Sequence, residues 1–191
     1  MKTTKPLGYI LYEGPSMIDG SPIVVIVNKI DGSDNAKTGA MVQTFIIRSD
    51  IAPVAALHSG ADYAICGDCE HRPILAKNTG AAPCYVNVGR SVRSVYEAYK
   101  RGRYERADAA TIARAVAGLL LRIGTYGDPF AAPVKYWRAL VQHVVPSLGA
   151  PRGPCPAGCD RALEHALITA PEKRDPELLA KLDVVAKRVL G

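Results

Sequence analysis

Three runs of strand-forming residues open the chain. Residues 7–12 are aliphatic and aromatic apart from Gly8, and residues 23–27 form an unbroken β-branched run behind Pro22. The first run predicts a strand and the second a buried strand. A third strand is predicted over residues 42–48. The connection between the last two strands is short and polar, which favours antiparallel pairing.

Helical patterns and one further strand follow. Pro53 in the first turn of residues 51–58, with Gly60 behind them, predicts a short helix. Apolar stripes predict more helices at three places, namely residues 91–100, from Asp108 onward and from Pro133 onward. Residues 120–124 predict a buried strand that ends in a turn over 125–129. A strand, a turn and a helix in succession indicate an α/β fold.

We therefore predict an α/β domain over residues 1–148, with a small sheet flanked by helices or a truncated barrel-like fragment, and with a cysteine loop at 66–84. Residues 149–191 predict a Pro/Gly linker and C-terminal helices. The chain has 191 residues, of which 48% are apolar, enough for a core. Its longest aliphatic stretch, 115–121, is too short to cross a bilayer, and no signal peptide or lipidation motif is found. A cytoplasmic location is expected.

Cysteines supply the first candidate chemistry. Cys66, Cys69 and Cys84 lie in one window with His71, and the C-x-x-C pair puts two thiols on one loop. Three thiolates with His71 could close a zinc site, and three thiolates alone could hold an iron–sulfur cluster with an open iron. Separate core thiols are the remaining alternative. A second pair, Cys155 and Cys159, could complete this site, form a disulfide or lie in a loop.

A glycine-rich turn supplies the second candidate. Gly124, Gly127 and Asp128 stand at the end of a predicted buried strand that leads into a helix. In α/β folds such turns hold ligands, and the glycines would let the backbone approach a cofactor. The alternative is structural, with Asp128 as a helix N-cap and the glycines needed only for the turn.

Charge supplies the third candidate. The chain has a net charge of +6. We call the six basic residues concentrated between positions 90 and 106 the basic strip; they are Arg90, Arg93, Lys100, Arg101, Arg103 and Arg106. Such a strip could bind nucleic acid or an acidic partner, and a solvated helix face is the alternative.

Two resemblances follow from these motifs. Cys66-Gly-Asp-Cys69, Cys84-Tyr85, residues 121–129 and the helix containing Trp137 resemble the "gene product 88" family of phage and plasmid proteins over about residues 40–145. The order of three cysteines, a helix and a strand ending in Gly-Asp-Pro is also similar to radical S-adenosylmethionine enzymes. That second resemblance implies a cluster on Cys66, Cys69 and Cys84, with S-adenosylmethionine beside Gly127 and Asp128.

The functional expectation favours binding over catalysis. We expect a phage or mobile-element protein with a metal-binding cysteine loop that engages nucleic acid or a host nucleoprotein complex through the basic strip. Inhibition of a host defence complex, as by an anti-CRISPR protein, is one such role. The alternative is an iron–sulfur enzyme that resembles the radical S-adenosylmethionine proteins. No membrane partner is expected.

Overall fold

A five-stranded mixed sheet organises the protein. The computed structural model describes residues 6–28, 41–79, 84–117 and 120–141. The strands are β1 (Gly8–Pro15), β2 (Pro22–Asn28), β3 (Met41–Arg48), β4 (Tyr104–Arg106) and β5 (Leu120–Tyr126). Their order across the sheet is β4-β1-β2-β3-β5. β2 pairs antiparallel with both neighbours, whereas β4 runs parallel to β1 and β5 runs parallel to β3.

The centre of the core is β2. Every residue from Ile23 to Val27 is 0% exposed. Because successive side chains of a strand point to opposite faces, this run requires cover on both faces of the sheet. The run of β-branched residues 23–27 therefore reflects the central position of β2 in the sheet.

Six α-helices cover the sheet in the described parts of the chain. They are α1 (Pro53–Ser59), α2 (Tyr63–Cys66), α3 (Pro73–Thr79), α4 (Arg93–Lys100), α5 (Ala109–Ala115) and α6 (Val134–Val141). A π-helical turn, Val88–Val92, leads directly into α4, and a 3₁₀ turn, Pro129–Ala131, precedes α6. By contact, α1 packs with α3 and α4, whereas α5 packs with α6.

Neighbouring residues of β1 show that these two groups lie on opposite faces. The ring of Tyr12 lies 5.0 Å from that of Tyr136 on α6. The next residue, Glu13, accepts a hydrogen bond from Tyr99 on α4. Since consecutive strand residues face opposite ways, α4 and α6 cover opposite faces of the sheet.

The structure confirms the predicted α/β class, with a small sheet flanked by helices. The three N-terminal strands, the antiparallel pairing of β2 with β3 and the strand before the glycine-rich turn all form. The sequence reasoning missed β4 and α2, and it also missed α3, which lies inside the predicted cysteine loop. Residues 149–191 lie outside the described residues. Among the described residues, no helix combines the length and the apolar character needed to span a membrane.

Candidate functional site

The C-x-x-C motif forms a tight turn at the end of α2. Cys66 is the last residue of α2, and the amide of Cys69 donates to the carbonyl oxygen of Cys66 at 3.3 Å. Gly67 has φ 55° and ψ −139°, the backbone of the first central position in a type II′ turn. The amide of Cys84 donates to the carbonyl oxygen of His71 at 2.8 Å, which brings the third cysteine to the same region.

A buried ion pair holds this turn in place. Arg72 donates to both carboxylate oxygens of Asp62, at 2.7 and 3.0 Å, and the two side chains are 7% and 1% exposed. Its guanidinium also donates to the carbonyl oxygens of Gly60 and Gly67 at 2.8 and 3.2 Å. The hydrogen bonds to Asp62 raise the pKa of Arg72. Arg72 therefore ties α2 to the turn after it.

Tyr126 approaches this group from β5. Its hydroxyl is fully buried and, among the described residues, has no hydrogen-bond partner. Burial raises the pKa of Tyr126, and the negative charges that Cys66, Asp62 and Cys84 can carry raise it further. Burial also raises the pKa of the Cys66 thiol, and the charges that Asp62 and the other two cysteines can carry raise it further. The end of β5 and the cysteine turn thus form one electrostatic neighbourhood.

The glycine-rich turn is joined to the cysteine turn through the backbone. The amide of Asp128 donates to the carbonyl oxygen of Ile65, the residue before Cys66, at 2.6 Å. The Asp128 side chain accepts from the amide of Phe130 at 2.9 Å and caps the 3₁₀ turn. Gly127 has φ 83°, and a Cβ there would lie 2.7 Å from the carbonyl oxygen of Ile46. Both residues therefore have structural roles of the kind expected under the alternative of a capped turn.

The cysteines do not converge in the way a metal ion requires. Cys66, Cys69, Cys84 and His71 lie near one another along the backbone. Among the described residues, however, no group of three or more Cys, His, Asp or Glu side chains is arranged to hold a metal ion. The expectation of a metal-binding protein is therefore wrong for the part of the chain that the structure describes. Zinc or an iron–sulfur cluster as cofactor stays a prediction, because Cys155 and Cys159 lie outside those ranges.

Several members of the basic strip are engaged by neighbouring side chains. Arg93 donates to Glu97 at 2.7 Å, one helical turn away. Lys100 lies over the rings of Tyr96 and Tyr99, and Arg106 pairs with Glu13. Arg90 and Arg101 are exposed and Arg103 is half-buried. The strip therefore combines solvated cations with cations that tie α4 and β4 to the sheet.

A cleft opens where β4 ends beside β1. It has a volume of about 310 Å³, and it is lined by Ile10, Leu11, Tyr12, Glu13, Arg106, Ala107, Asp108 and Tyr136. Glu13 stands at one wall, where it receives hydrogen bonds from Tyr99 at 2.7 Å and from Arg106. Tyr12 and Tyr136 form an aromatic pair at another wall of the cleft. β4 pairs with β1 only as far as Ile10, so the cleft lies at the open edge of β1 and is lined from both faces of the sheet. It offers aromatic rings, a carboxylate and a guanidinium.

Sequence reasoning identified Arg106 as a basic residue but missed the rest of the cleft. Glu13 and Tyr136 are far apart in sequence, and only the sheet brings them together. The Asp62–Arg72 pair was also missed, since ten residues separate two charges that individually resemble surface residues. For that pair one signal was present: Asp62 and Arg72 flank the C-x-x-C motif.

Comparison with known proteins gives three relatives that carry the same name, S-methyl-5′-thioadenosine phosphorylase. The protein from Cereibacter sphaeroides is 52% identical over 75 residues, which is 39% of this chain and 23% of the relative. The proteins from Bradyrhizobium diazoefficiens and Rhodospirillum rubrum are 60% and 43% identical over 53 and 54 residues, each 28% of this chain and 18% of the relative. The chain thus spans under a quarter of the length of these relatives. No family model matches it, and no solved structure matches it significantly.

These relatives overturn the functional expectation. They are named as a metabolic enzyme, so the prediction of a phage nucleic-acid-binding or anti-CRISPR protein is wrong, and so is the alternative of a radical S-adenosylmethionine enzyme. The preference for a binding protein over an enzyme is corrected on the same ground. The wrong prediction rested on two short motifs, a C-x-x-C pair and a Gly-Asp-Pro turn. The hydrogen bonds and packing of the fold account for the geometry of both. The resemblance to the "gene product 88" family is not tested by these relatives and stays a prediction, as does a nucleic-acid or nucleoprotein partner.

Proposed function

We propose that the chain takes part in the phosphorolysis of a 5′-thionucleoside of the S-methyl-5′-thioadenosine class. The observation that carries the proposal is the 52% identity over 75 residues to a protein named for that reaction. The chain spans under a quarter of that relative's length, so the proposal rests on the shared stretch together with the cleft that the structure shows. The cleft beside β4 is the part that we assign to nucleoside binding.

The chemistry of phosphorolysis defines what such a cleft must offer. A phosphate oxygen attacks the anomeric carbon of the ribose, the bond to the base breaks, and the base leaves with a proton. A purine base stacks on aromatic rings, and a carboxylate accepts hydrogen bonds from ribose hydroxyls. A guanidinium matches the geometry of phosphate oxygens and stabilises their charge.

The cleft supports this proposal with side chains for each of the three requirements. The Tyr12–Tyr136 pair offers an aromatic surface for a base. Glu13 is held in place by Tyr99, so its carboxylate is oriented before a ligand binds. Arg106 is 69% exposed and can turn its guanidinium toward an anion. A volume of about 310 Å³ lies at the lower end of the range for small-molecule sites.

The test is release of adenine from S-methyl-5′-thioadenosine in phosphate buffer, followed by chromatography, beside calorimetric titration of the nucleoside alone. We expect binding of the nucleoside, and we expect Arg106→Gln and Tyr136→Leu each to weaken it at least about tenfold, the effect of losing roughly 1.4 kcal/mol. Arg93→Gln is the matched control, since Arg93 lies on α4 outside the cleft and should leave binding unchanged. Absence of both binding and adenine release would overturn the proposal.

A further inference from the structure

We propose that Cys66 and Cys69 form a reversible disulfide, so that residues 66–69 are a dithiol site for a peroxide oxidant. This inference goes beyond the proposed function and does not depend on it. It begins from the C-x-x-C turn, and in the structure both residues carry thiols.

The backbone of the turn sets the two cysteines at a suitable separation. The hydrogen bond from the Cys69 amide to the Cys66 carbonyl closes a four-residue turn, whose first and last Cα atoms lie within about 7 Å. Disulfides join residues whose Cα atoms are about 4.4–6.8 Å apart. Two cysteines at the ends of a closed turn therefore need little backbone movement to form the bond.

The turn is also held in this shape before any bond forms. The amide of Gly67 donates to the carbonyl oxygen of Tyr63 at 2.8 Å. The Arg72 side chain donates to the Gly67 carbonyl at 3.2 Å, and the Arg72 amide donates to the Cys69 carbonyl at 3.1 Å. A turn fixed by its surroundings keeps the Cα atoms of the two cysteines near each other, so ring closure costs little entropy.

The two cysteines differ in access, which assigns their roles. Cys69 is exposed, whereas Cys66 is half-buried and packs against the hydrophobic core. Cys69 is therefore the thiol that meets the oxidant. Its thiolate attacks one oxygen of hydrogen peroxide, which gives a sulfenic acid and releases hydroxide.

Cys66 then completes the reaction. Its sulfur attacks the Cys69 sulfur, the S–S bond forms, and the sulfenic oxygen leaves as a second hydroxide. The protons of the two thiols convert both hydroxides to water. The balance is two thiols and one peroxide giving one disulfide and two waters, with the thiols oxidised and the peroxide reduced. A dithiol reductant reverses the step.

Cys84 is the natural competitor for this bond. Its backbone is hydrogen-bonded to His71, two residues beyond Cys69. It belongs to a separate stretch of chain, however, and lacks the closed turn that joins Cys66 to Cys69. The closing of the smaller, preformed ring therefore favours the 66–69 pair.

Digestion by trypsin separates the alternatives. It gives one peptide, 49–77, that holds both Cys66 and Cys69, and another, 78–90, that holds Cys84. The full-length protein is treated with one equivalent of hydrogen peroxide, its remaining thiols are alkylated, and the peptides are weighed. We expect peptide 49–77 to lose two hydrogen masses and both alkylation sites, and to regain them after treatment with dithiothreitol.

Variants distinguish this bond from general thiol oxidation. Cys69→Ser, a change at an exposed position, should abolish the closed form of peptide 49–77. Cys84→Ser is the matched control and should form it at the wild-type rate. A cross-link between peptides 49–77 and 78–90 as the main product would overturn the proposal. So would peptide 49–77 with both cysteines alkylated after peroxide treatment.

Discussion

At the residue scale, Gly127 shows how one backbone position fixes the end of β5. Its φ of 83° lies in the region that side chains disfavour, and a Cβ would lie 2.7 Å from the Ile46 carbonyl oxygen and 2.8 Å from the Ile46 Cβ. These contacts involve the backbone of β3, so they cannot be relieved by rotating a side chain. The glycine is therefore required by packing as well as by the turn.

We expect Gly127→Ala to lower the free energy of unfolding by about 3 kcal/mol or more, because the left-handed backbone conformation and the overpacking against β3 both cost free energy. Gly102→Ala is the matched control. Gly102 has φ 67°, but nothing lies within 4 Å of its added Cβ, so only the backbone cost of about 1 kcal/mol remains. Urea unfolding of both variants measures the difference. Equal losses in the two variants would show that the contact with Ile46 does not matter.

The Asp62–Arg72 pair carries the second prediction at this scale. We expect Arg72→Met to lower the free energy of unfolding by about 3–5 kcal/mol, because it leaves the Asp62 carboxylate buried without its partner. The double change Asp62→Leu with Arg72→Met should cost less than the sum of the two single changes, since no lone charge remains. A double-mutant cycle by urea unfolding measures this coupling.

The exposed pair of Arg93 and Glu97 is the control for that cycle. Its side chains are 64% and 43% exposed, and it joins successive turns of α4. Such pairs contribute about 0.3–0.5 kcal/mol. If Arg72→Met were no more destabilising than Arg93→Met, the buried pair would not hold the turn after α2.

At the scale of elements, β5 departs from a regular strand beside β3. Gln43 pairs with Arg122 and Phe45 pairs with Tyr126, so β5 has two more residues than β3 between these pairs. Thr44 fills the gap: its hydroxyl accepts from the Gly124 amide at 2.8 Å and donates to the Arg122 carbonyl at 3.2 Å. One fully buried side chain therefore satisfies the backbone of an irregular strand.

We expect Thr44→Val to lower the free energy of unfolding by about 1–3 kcal/mol, because the near-isosteric side chain leaves a buried amide without its partner. Thr44→Ser keeps the hydroxyl and is the control, with a smaller loss from the missing methyl group. Hydrogen exchange at the Gly124 amide gives a local measure and should accelerate in the valine variant only. Unchanged exchange there would contradict the role assigned to Thr44.

The elements that could be predicted from the sequence are those whose own residue types reflect their burial or their ends. Residues 23–27 of β2 are all Ile or Val, as suits a strand covered on both faces, and α1 carries Pro53 and Gly60 at its two ends. By contrast, β4 has the sequence Tyr-Glu-Arg and exists only because β1 offers it an edge. A three-residue strand of this kind has no periodicity of its own to detect.

The candidate site shows the same division. The turn formed by Cys66 and Cys69 is local and could be predicted from their spacing. The cleft joins Glu13 on β1, Arg106 on β4 and Tyr136 on α6, which only the order of the strands brings together. Arg106 carried a signal as a cation, but nothing in the sequence near it indicates Glu13 as its partner.

At the scale of the whole molecule, tyrosines whose pKa values are raised are spread over the sheet and its helices. Burial raises the pKa of Tyr104 on β4 to about 12. Burial raises the pKa of Tyr99 on α4 to about 12, with further contributions from its hydrogen bond to Glu13 and from the charge of Glu13. The pKa of Tyr126 on β5 is raised further still. Folding therefore favours the protonated form of each of these phenols.

The sign of the pH dependence follows from this. In the unfolded chain a tyrosine titrates near pH 10, so above that pH the unfolded state binds fewer protons than the folded state. The stabilisation is fully present below about pH 10 and is lost as the pH rises toward about 12. We expect the free energy of unfolding to fall over this window, with the buried Tyr104 adding up to about 1.4 kcal/mol per pH unit to the slope.

Urea unfolding at a series of alkaline pH values, with tyrosinate absorbance followed in parallel, measures this slope. Tyr104→Phe removes one buried phenol and should make the slope shallower by one tyrosine's share, although it also removes a long hydrogen bond of 3.3 Å to Asn28. Tyr85→Phe is the control for the substitution itself, because that side chain is 61% exposed and lies outside β4. Equal slopes in the wild type and the Tyr104 variant would mean that the phenol on β4 titrates in the folded protein as it does in the unfolded chain. The Tyr104 hydroxyl, next to the pairing of β4 with β1, would then be accessible to water.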